Sequence, residues 1–174
     1  MSENKTKNAF RNRASFGKRI EYSFISKLLL AGFDVYTPLV DDDGIDAIIK
    51  IEIGEIEKFI KIQVKARSID GIDDKYKEQN SAFFPAIKHD KIRSDYWFIF
   101  YSEYLDKAWM LSSSEFIEES DLVKSGEHKG LRGIRFSRKN NKKAIPNEKY
   151  DKYLIDDNYD FLRLKKFYGL YKED

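Results

Sequence analysis

Hydrophobic residues recur at helical spacing near the start of the chain. From Ser15 to Ala31 they return every three or four positions, which predicts a helix that ends at Gly32. Glu21 falls inside this apolar stripe, where burying a carboxylate is costly unless a partner satisfies it. Two interpretations remain open: its side chain reaches water past its neighbours, or it points toward a metal or polar site. Gly17, one turn earlier, would allow a backbone or a phosphate to approach closely.

An alternating pattern of apolar and polar residues follows, and it is typical of strands. It covers Ile45 to Ile53 and Lys58 to Ala66, with Gly54 to Glu57 as the connection. The two segments therefore predict an antiparallel hairpin.

The predicted hairpin brings three polar side chains together. Gln63 and Lys65 alternate with apolar residues, so they lie on one face of the second strand. If the turn is centred between residues 55 and 56, Asp46 pairs with Lys65. Directly opposed side chains lie ~4.5–5.5 Å apart. The spacing therefore predicts a small patch of Asp46, Gln63 and Lys65.

The remaining pattern predicts an α/β (α+β) fold, with a mixed central β-sheet flanked by helices. The further predicted elements are a strand over Phe33–Thr37, a loop or short helix over Ser68–Asn80, a short helix within Phe83–Ser94, a buried strand over Tyr96–Tyr101, its hairpin partner Ala108–Leu111, a helix capped by Ser112, a strand over Leu131–Phe136, and a closing helix over Asn158–Leu170.

Length and composition indicate one folded domain over residues 1–174, with residues 1–14 as a flexible basic N-terminus. The chain has 174 residues, 41% of them hydrophobic, with 13 Phe, 11 Tyr and 2 Trp. Cysteine is absent, which excludes disulfides, zinc–thiolate sites and thiol nucleophiles. No apolar run is long enough for a membrane span, and the polar N-terminus does not resemble a secretory signal. We therefore expect a cytoplasmic protein.

Charge is segregated along the chain, although the formal net charge is only +2. Residues 4–19 and 129–143 carry lysines and arginines with no acid among them. Such runs are either a basic face that binds nucleic acid or simply solvated loops. The residues that we predict to contact nucleic acid are Lys18, Arg19, Arg67, Arg132, Arg135, Arg138 and Lys139.

The residues of the hairpin patch suit metal-assisted hydrolysis of a phosphodiester. Mg²⁺ prefers oxygen ligands, and Mn²⁺ is an expected substitute. Asp46 is the candidate direct ligand, with an amide oxygen from Gln63, the Val64 backbone carbonyl and the Glu21 carboxylate as further candidates. Lys65 is placed to orient or deprotonate the attacking water, or to neutralise developing charge.

These residues together resemble the PD-(D/E)XK nuclease superfamily, which has the restriction-endonuclease-like fold. The resemblance covers about residues 15–67: Glu21 on a helix, Asp46 after an acidic turn, and Gln63-Val64-Lys65 as the last motif. The helix glutamate is similar to that of archaeal Holliday-junction resolvases, and the Gln-x-Lys form to that of restriction enzymes acting on methylated DNA. The chain departs from the pattern because Gln63 replaces an acid, and Gly44-Ile45 rather than proline precedes Asp46.

The resemblance implies a metal-dependent DNA endonuclease in restriction, defence, repair or recombination. An alternative is a catalytically inactive module on the same fold, which binds DNA or a protein partner. The glutamine at position 63 and the low net charge favour that alternative. A homodimer is expected because cutting two strands is simplest with two sites. The two histidines, His89 and His128, lack ligand spacing, and we expect surface roles for them.

Overall fold

The computed structural model describes residues 3–40, 43–69, 81–140 and 143–170, with side chains from residue 14 onward except those of 139 and 140. The elements in chain order are α1 Glu3–Leu30, β1 Asp34–Tyr36, β2 Ala47–Ile53, β3 Ile56–Arg67, β4 Phe83–Ile87, β5 Tyr96–Ser102, β6 Lys107–Ser112, α2 Ser113–Glu119, β7 Asp121–Leu122, β8 Arg132–Arg135, β9 Ser137–Asn140, β10 Lys143–Pro146, a 3₁₀ helix Glu148–Tyr153 and α3 Leu162–Phe167.

A five-stranded mixed sheet lies at the centre of the fold, in the order β1-β2-β3-β5-β6. Strands β3 and β5 are parallel, and the other neighbouring pairs are antiparallel. A three-stranded sheet of β4, β8 and β7 and a hairpin of β9 and β10 complete the strands of the described chain. The predicted architecture, a mixed central sheet flanked by helices, is confirmed.

Hydrophobic side chains cover both faces of this sheet. On one face Ile62 and Val64 of β3 belong to a cluster with Phe24 and Leu28 of α1. On the other face Tyr96, Phe98 and Phe100 of β5 and Trp109 of β6 join residues of β4, β8 and α2 in a second cluster. Strand β5 is therefore buried on both sides, as its continuous apolar run from Tyr96 predicts.

The first helix ends where the sequence predicts but begins much earlier, at Glu3, within the segment that we expected to be flexible. The Phe33 N–H donates to the Leu28 carbonyl, and the Gly32 N–H donates to the Leu29 carbonyl. This is the Schellman pattern, and Gly32 adopts the positive φ of 87° that it requires. No helix in the described part of the chain is both long and apolar enough to cross a bilayer.

Two predicted helices differ from the structure. The segment Phe83–Ser94 contains strand β4 and an irregular loop, because Phe84 and Ile87 are buried in the second cluster and β4 pairs with β8. The closing helix is short because Phe161 adopts a positive φ of 52° and α3 begins only at the next residue. Of the predicted polar loop Ser68–Asn80, residues 70–80 lie outside the described part.

The predicted N-cap of α2 is confirmed. The Ser112 side chain accepts from the Glu115 N–H, and the Glu115 carboxylate accepts from the Ser112 N–H at 2.8 Å. This reciprocal capping box satisfies donors at the helix start that would otherwise lack partners.

The two edge strands of the central sheet have different neighbours. Strand β6 is flanked by the segment after the 3₁₀ helix, through a bridge between Trp109 and Leu154 and a bond from the Ile155 N–H to the Ala108 carbonyl. Strand β1 lies at the opposite edge, contains three residues and is followed closely by Pro38.

Of the two histidines, His128 is exposed as expected, whereas His89 is buried, with only 6% of its surface exposed. Its ring lies among Tyr96, Phe98 and Phe116, and its Nε2 is 2.6 Å from the Ser113 Oγ. The expected surface role of His89 is therefore wrong. Burial, with a smaller contribution from nearby Arg93, lowers the pKa of His89 to about 4.

This pKa makes the stability of the fold depend on pH. The unfolded chain binds a proton at His89 below about pH 6.5, whereas the folded chain binds it only near pH 4. The contribution of neutral His89 to the free energy of unfolding is therefore fully present above pH 6.5 and is lost as the pH falls toward 4. We expect the free energy of unfolding to be about 2 kcal/mol lower at pH 5 than at pH 7 from this group.

Urea unfolding of the wild type, His89→Gln and His128→Gln at both pH values measures this difference. We expect the His89→Gln variant to lose most of the pH dependence and the His128→Gln variant to keep it, because His128 is exposed. An equal pH dependence in all three proteins would contradict the assignment to His89.

Candidate active site

The Asp46 carboxylate is bound to the backbone of the Gln63-Val64-Lys65 motif. Its Oδ2 accepts a hydrogen bond from the Val64 N–H at 2.7 Å, and the Asp46 N–H donates to the Ile62 carbonyl at 2.9 Å. Gln63 and Lys65 flank Val64 in sequence and lie on the opposite face of β3 from the Val64 side chain. The carboxylate is therefore held at the middle residue of the motif.

The hairpin register differs from the predicted one by two residues. The ladder runs from Ile53 opposite Ile56 to Ala47 opposite Ile62, so its continuation places Gln63 opposite Asp46. The predicted pairing of Asp46 with Lys65 is wrong, because the turn is centred one residue earlier, on Gly54 and Glu55. A two-residue shift keeps every side chain on its predicted face, so the polar patch persists.

The Val64 carbonyl lies on the same side of β3 as its N–H. In a β-strand the N–H and C=O of one residue are directed to the same side, and this holds for Val64 although it lies beyond the antiparallel ladder, which ends at Ile62. The Val64 N–H is directed to Asp46, so the carbonyl faces the same segment. The structure thus brings the backbone oxygen that we predicted as a ligand to the side of the Asp46 carboxylate.

Gly44 allows the loop before Asp46 to pass directly over Gln63. A Cβ built on Gly44 would lie 2.0 Å from the Gln63 Nε2, and its φ is +65°, a conformation that favours glycine. Only 7% of the surface of Gln63 is exposed to solvent. Glycine at position 44 is thus required by its close contact with Gln63.

Tyr96 holds the same loop from β5. Its hydroxyl donates to the Gly44 carbonyl at 2.9 Å, with the Asp43 carbonyl at 3.4 Å. The sequence places Tyr96 correctly in a buried strand, but nothing in the pattern indicates that its hydroxyl reaches a loop 52 residues earlier. Tyr96 and Gly44 are therefore site residues that sequence reasoning did not identify.

Glu21 lies toward the carboxyl end of β3. Its helix neighbour Phe24 packs edge-on against Tyr101, with 6.2 Å between the ring centroids. Tyr101 pairs with Ala66, near the end of β3. Glu21 precedes Phe24 by three residues, about 4.5 Å along the axis. The helix therefore places Glu21 near the strand end that carries Lys65, but on the Val64 side of β3, whereas the Lys65 side chain lies on the opposite face.

The Glu21 carboxylate has a partner in the structure. The Lys18 Nζ lies 2.5 Å from its Oε2, and the two side chains are 60% and 18% exposed, respectively. Lys18 thus satisfies the carboxylate that the apolar stripe left unexplained. In the described part of the chain, no atom outside the helix's own backbone lies within 4 Å of a Cβ built on Gly17, so no other backbone approaches there. The approach of a phosphate stays a prediction.

The predicted nucleic-acid contacts occupy different environments. Arg132 is directed inward, and its Nη1 donates to the carbonyls of Ile117 at 3.0 Å and Ser120 at 3.2 Å, which fixes the end of α2. Arg135 is exposed and its guanidinium lies 4.3 Å from the centroid of the Phe83 ring, while partial burial lowers its pKa. Arg138 is exposed and pairs with Glu148 at 2.7 Å.

The other predicted basic contacts lie on α1, at the end of β3 and in β9. Arg19 is exposed on α1, its guanidinium 6.0 Å from the centroid of the Phe16 ring. Arg67 is half-buried at the end of β3, two residues after Lys65. The side chain of Lys139 lies outside the described part.

Within the described residues, no three side chains of the Asp, Glu, His or Cys types gather as a metal-binding group. The predicted ligand set has a different composition, because it combines two carboxylates with an amide oxygen and a backbone carbonyl. Oxygen donors of this kind are those that Mg²⁺ accepts, usually with several waters retained.

Comparison with solved structures finds a bacterial homing endonuclease with the same fold. The TM-score is 0.52 and the identity is 16%, over 91% of this chain and 96% of that chain. No protein-family model and no curated protein matches the sequence. At this identity the likeness concerns the fold, and it covers nearly the whole of both chains.

Proposed function

We propose that the chain is a metal-dependent DNA endonuclease that hydrolyses phosphodiester bonds, as a Gln-x-Lys member of the PD-(D/E)XK superfamily. The observation that carries the proposal is the bond from the Val64 N–H to the Asp46 carboxylate, which fixes the acid between Gln63 and Lys65. The fold shared with a bacterial homing endonuclease supports the same class of activity. Restriction, defence, repair and recombination are the settings that such an activity serves.

The donor set fits a hard divalent cation. A carboxylate offers about four lone-pair sites, and the Val64 N–H uses one of those on Asp46. Asp46, the Val64 carbonyl and the Gln63 amide oxygen would hold Mg²⁺ or Mn²⁺. Glu21 lies on α1, which packs on the other face of β3, so it would reach the ion only around the strand end, through a metal-bound water. When bound, the ion supplies polarisation of the phosphoryl group and stabilisation of the leaving oxygen.

The side chains of the motif have separate parts in this chemistry. Lys65, half-buried on the same face as Gln63, orients the attacking water and offsets the negative charge that develops on the phosphoryl oxygens. The Lys18 ammonium keeps Glu21 satisfied until a competing cation binds. Exposed Arg135 and Arg138 neutralise phosphates of the DNA backbone.

Substitution at Asp46 and Lys65 tests the catalytic proposal. We expect Asp46→Asn and Lys65→Ala to slow Mn²⁺-dependent cleavage at least ~100-fold, because each removes a charged group that acts in the transition state. Asp46→Asn keeps an oxygen that can accept from the Val64 N–H, so its melting temperature should stay close to that of the wild type. Gel assays on duplex, single-stranded, branched and methylated DNA measure the cleavage.

Lys58→Ala is the matched control for Lys65→Ala, because Lys58 is exposed on the opposite face of the same strand. It should cleave at the wild-type rate. Absence of metal-stimulated cleavage by the wild type on all four DNA forms would refute the catalytic proposal.

Charge reversal tests DNA binding separately from cleavage. We expect Arg135→Glu and Arg138→Glu to weaken binding and each to reduce the slope of log affinity against log salt by about 1, since each removes a phosphate contact. Fluorescence anisotropy over a salt series, in EDTA, measures both quantities. Lys58→Glu makes the same change in charge on β3 and should leave the slope unchanged. Equal slopes for all of these proteins would contradict the assignment.

The enclosed position of Gln63 is the observation that favours a non-catalytic module. Its amide is packed against Gly44 and is only 7% exposed. A DNA-binding module would behave differently from an enzyme in these assays. Asp46→Asn would keep the DNA affinity and the biological function of the wild type, whereas Arg135→Glu and Arg138→Glu would abolish the affinity and the function.

A further inference from the structure

We propose that Tyr96 is a positioning residue for the candidate active site: it fixes the loop of residues 43–46, so that the Asp46 carboxylate stays beside Val64. The positional part of this inference concerns the fold alone. Its catalytic part, an effect on metal binding and cleavage, rests on the proposed function.

The loop needs an external attachment because it lies beyond the hairpin ladder. The pairing of β2 with β3 ends at Ala47 opposite Ile62. Asp46 lies just outside this pairing and forms two bonds itself, from its N–H to Ile62 and from the Val64 N–H to its carboxylate. Residues 43 and 44 precede this anchor, and Tyr96 bonds their carbonyls from a different strand.

The Tyr96 ring is fixed well enough to serve as that attachment. It is 2% exposed at the first position of β5, which is paired with β3. The Arg93 guanidinium lies 4.3 Å from the centroid of the ring, and the rings of His89 and Phe98 lie 5.3 and 5.1 Å away. A side chain packed on several sides has little freedom to move its hydroxyl away from Gly44.

The position of Gly44 connects the Tyr96 hydroxyl to both Gln63 and Asp46. Its carbonyl accepts from Tyr96, while its Cα lies against the Gln63 amide. Asp46 follows two residues later. Movement of Gly44 away from Tyr96 would therefore displace the Asp46 carboxylate and uncover Gln63 together.

A purely structural role would make Tyr96 resemble any other buried tyrosine with a bonded hydroxyl. Tyr153 provides that comparison, since it is also 2% exposed and its hydroxyl donates to the Glu119 Oε1 at 2.9 Å. Removal of either hydroxyl deletes one hydrogen bond to a partly buried acceptor, so both variants lose some stability. The Tyr153→Phe variant is therefore a matched control for stability.

Amide hydrogen exchange, followed by NMR, tests the positional part. In Tyr96→Phe we expect the Asp46 and Val64 amides to exchange roughly tenfold faster than in the wild type, because the loop opens more often. Tyr153→Phe should leave these two amides within about twofold of the wild type. The proposal is overturned if they are unchanged in Tyr96→Phe, or if all protected amides of that variant accelerate equally.

Manganese titration tests the catalytic part. We expect Tyr96→Phe to raise both the Mn²⁺ concentration at half-maximal cleavage and the Kd for Mn²⁺, measured by electron paramagnetic resonance without DNA, by roughly five- to tenfold. Tyr153→Phe should change neither. Identical Mn²⁺ dependence in Tyr96→Phe and the wild type would refute this part. If the wild type cleaves no DNA, the proposed function fails, and the exchange data still decide the role of Tyr96.

A second variant covers the outcome in which Tyr96→Phe does not fold. Gly44→Ala disturbs the same loop from its other side, because the new methyl group would meet the Gln63 amide and the backbone has a positive φ. We expect the same faster exchange at Val64 and the same weaker Mn²⁺ binding. If Gly44→Ala leaves both at wild-type values, the loop does not control the site and the proposal is wrong.

Discussion

The hydrogen bond from the Val64 N–H to the Asp46 carboxylate is the contact on which the candidate site depends. A bond to an ionised acceptor is stronger than one between neutral groups, so it holds the acid firmly at the end of the hairpin ladder. Three other features make it possible. The turn at Gly54 and Glu55 sets the register, Gly44 lets the loop pass over Gln63, and Tyr96 secures the loop from β5.

The two apolar clusters explain why such a small contact can be maintained. Strand β5 is covered on both faces, by the first cluster on one side and by β4, β8 and α2 on the other, and β3 is covered by α1 on its Val64 face. A strand packed in this way moves little, so side chains and backbone groups at its end have defined positions. A polar site built on these strands therefore has a defined geometry, as the proposed metal ligation and phosphoryl chemistry would require.

Much of this architecture could be predicted from the sequence, because its signals are local. The helix stop at Gly32, the apolar run from Tyr96 and the capping box at Ser112 depend on neighbouring residues, and the structure contains all three. Asp46 and the Gln-x-Lys motif could be grouped because alternation assigns faces independently of the exact turn. The register of the hairpin could not be predicted, since moving the turn by one residue changes the residue opposite Asp46 by two positions.

The features that the sequence did not indicate depend on contacts between distant segments. Phe84 and Ile87 form a strand because β8 is available to pair with β4, and no local pattern shows this. His89 is buried because β5 and α2 enclose it. The inward direction of Arg132 likewise depends on the carbonyls at the end of α2, although its sequence neighbours suggest a basic surface.

The short outer strand β1 limits how copies of this protein can associate. An exposed sheet edge is a template for another chain, and long flat edges promote aggregation and strand exchange. Here one edge has three residues and lies close to Pro38, while the opposite edge is flanked by residues 154 and 155. Proline cannot donate to a ladder. Pairing of the central sheet with that of a second copy is thus disfavoured, so any association through this part of the fold would use side-chain surfaces and not backbone hydrogen bonds.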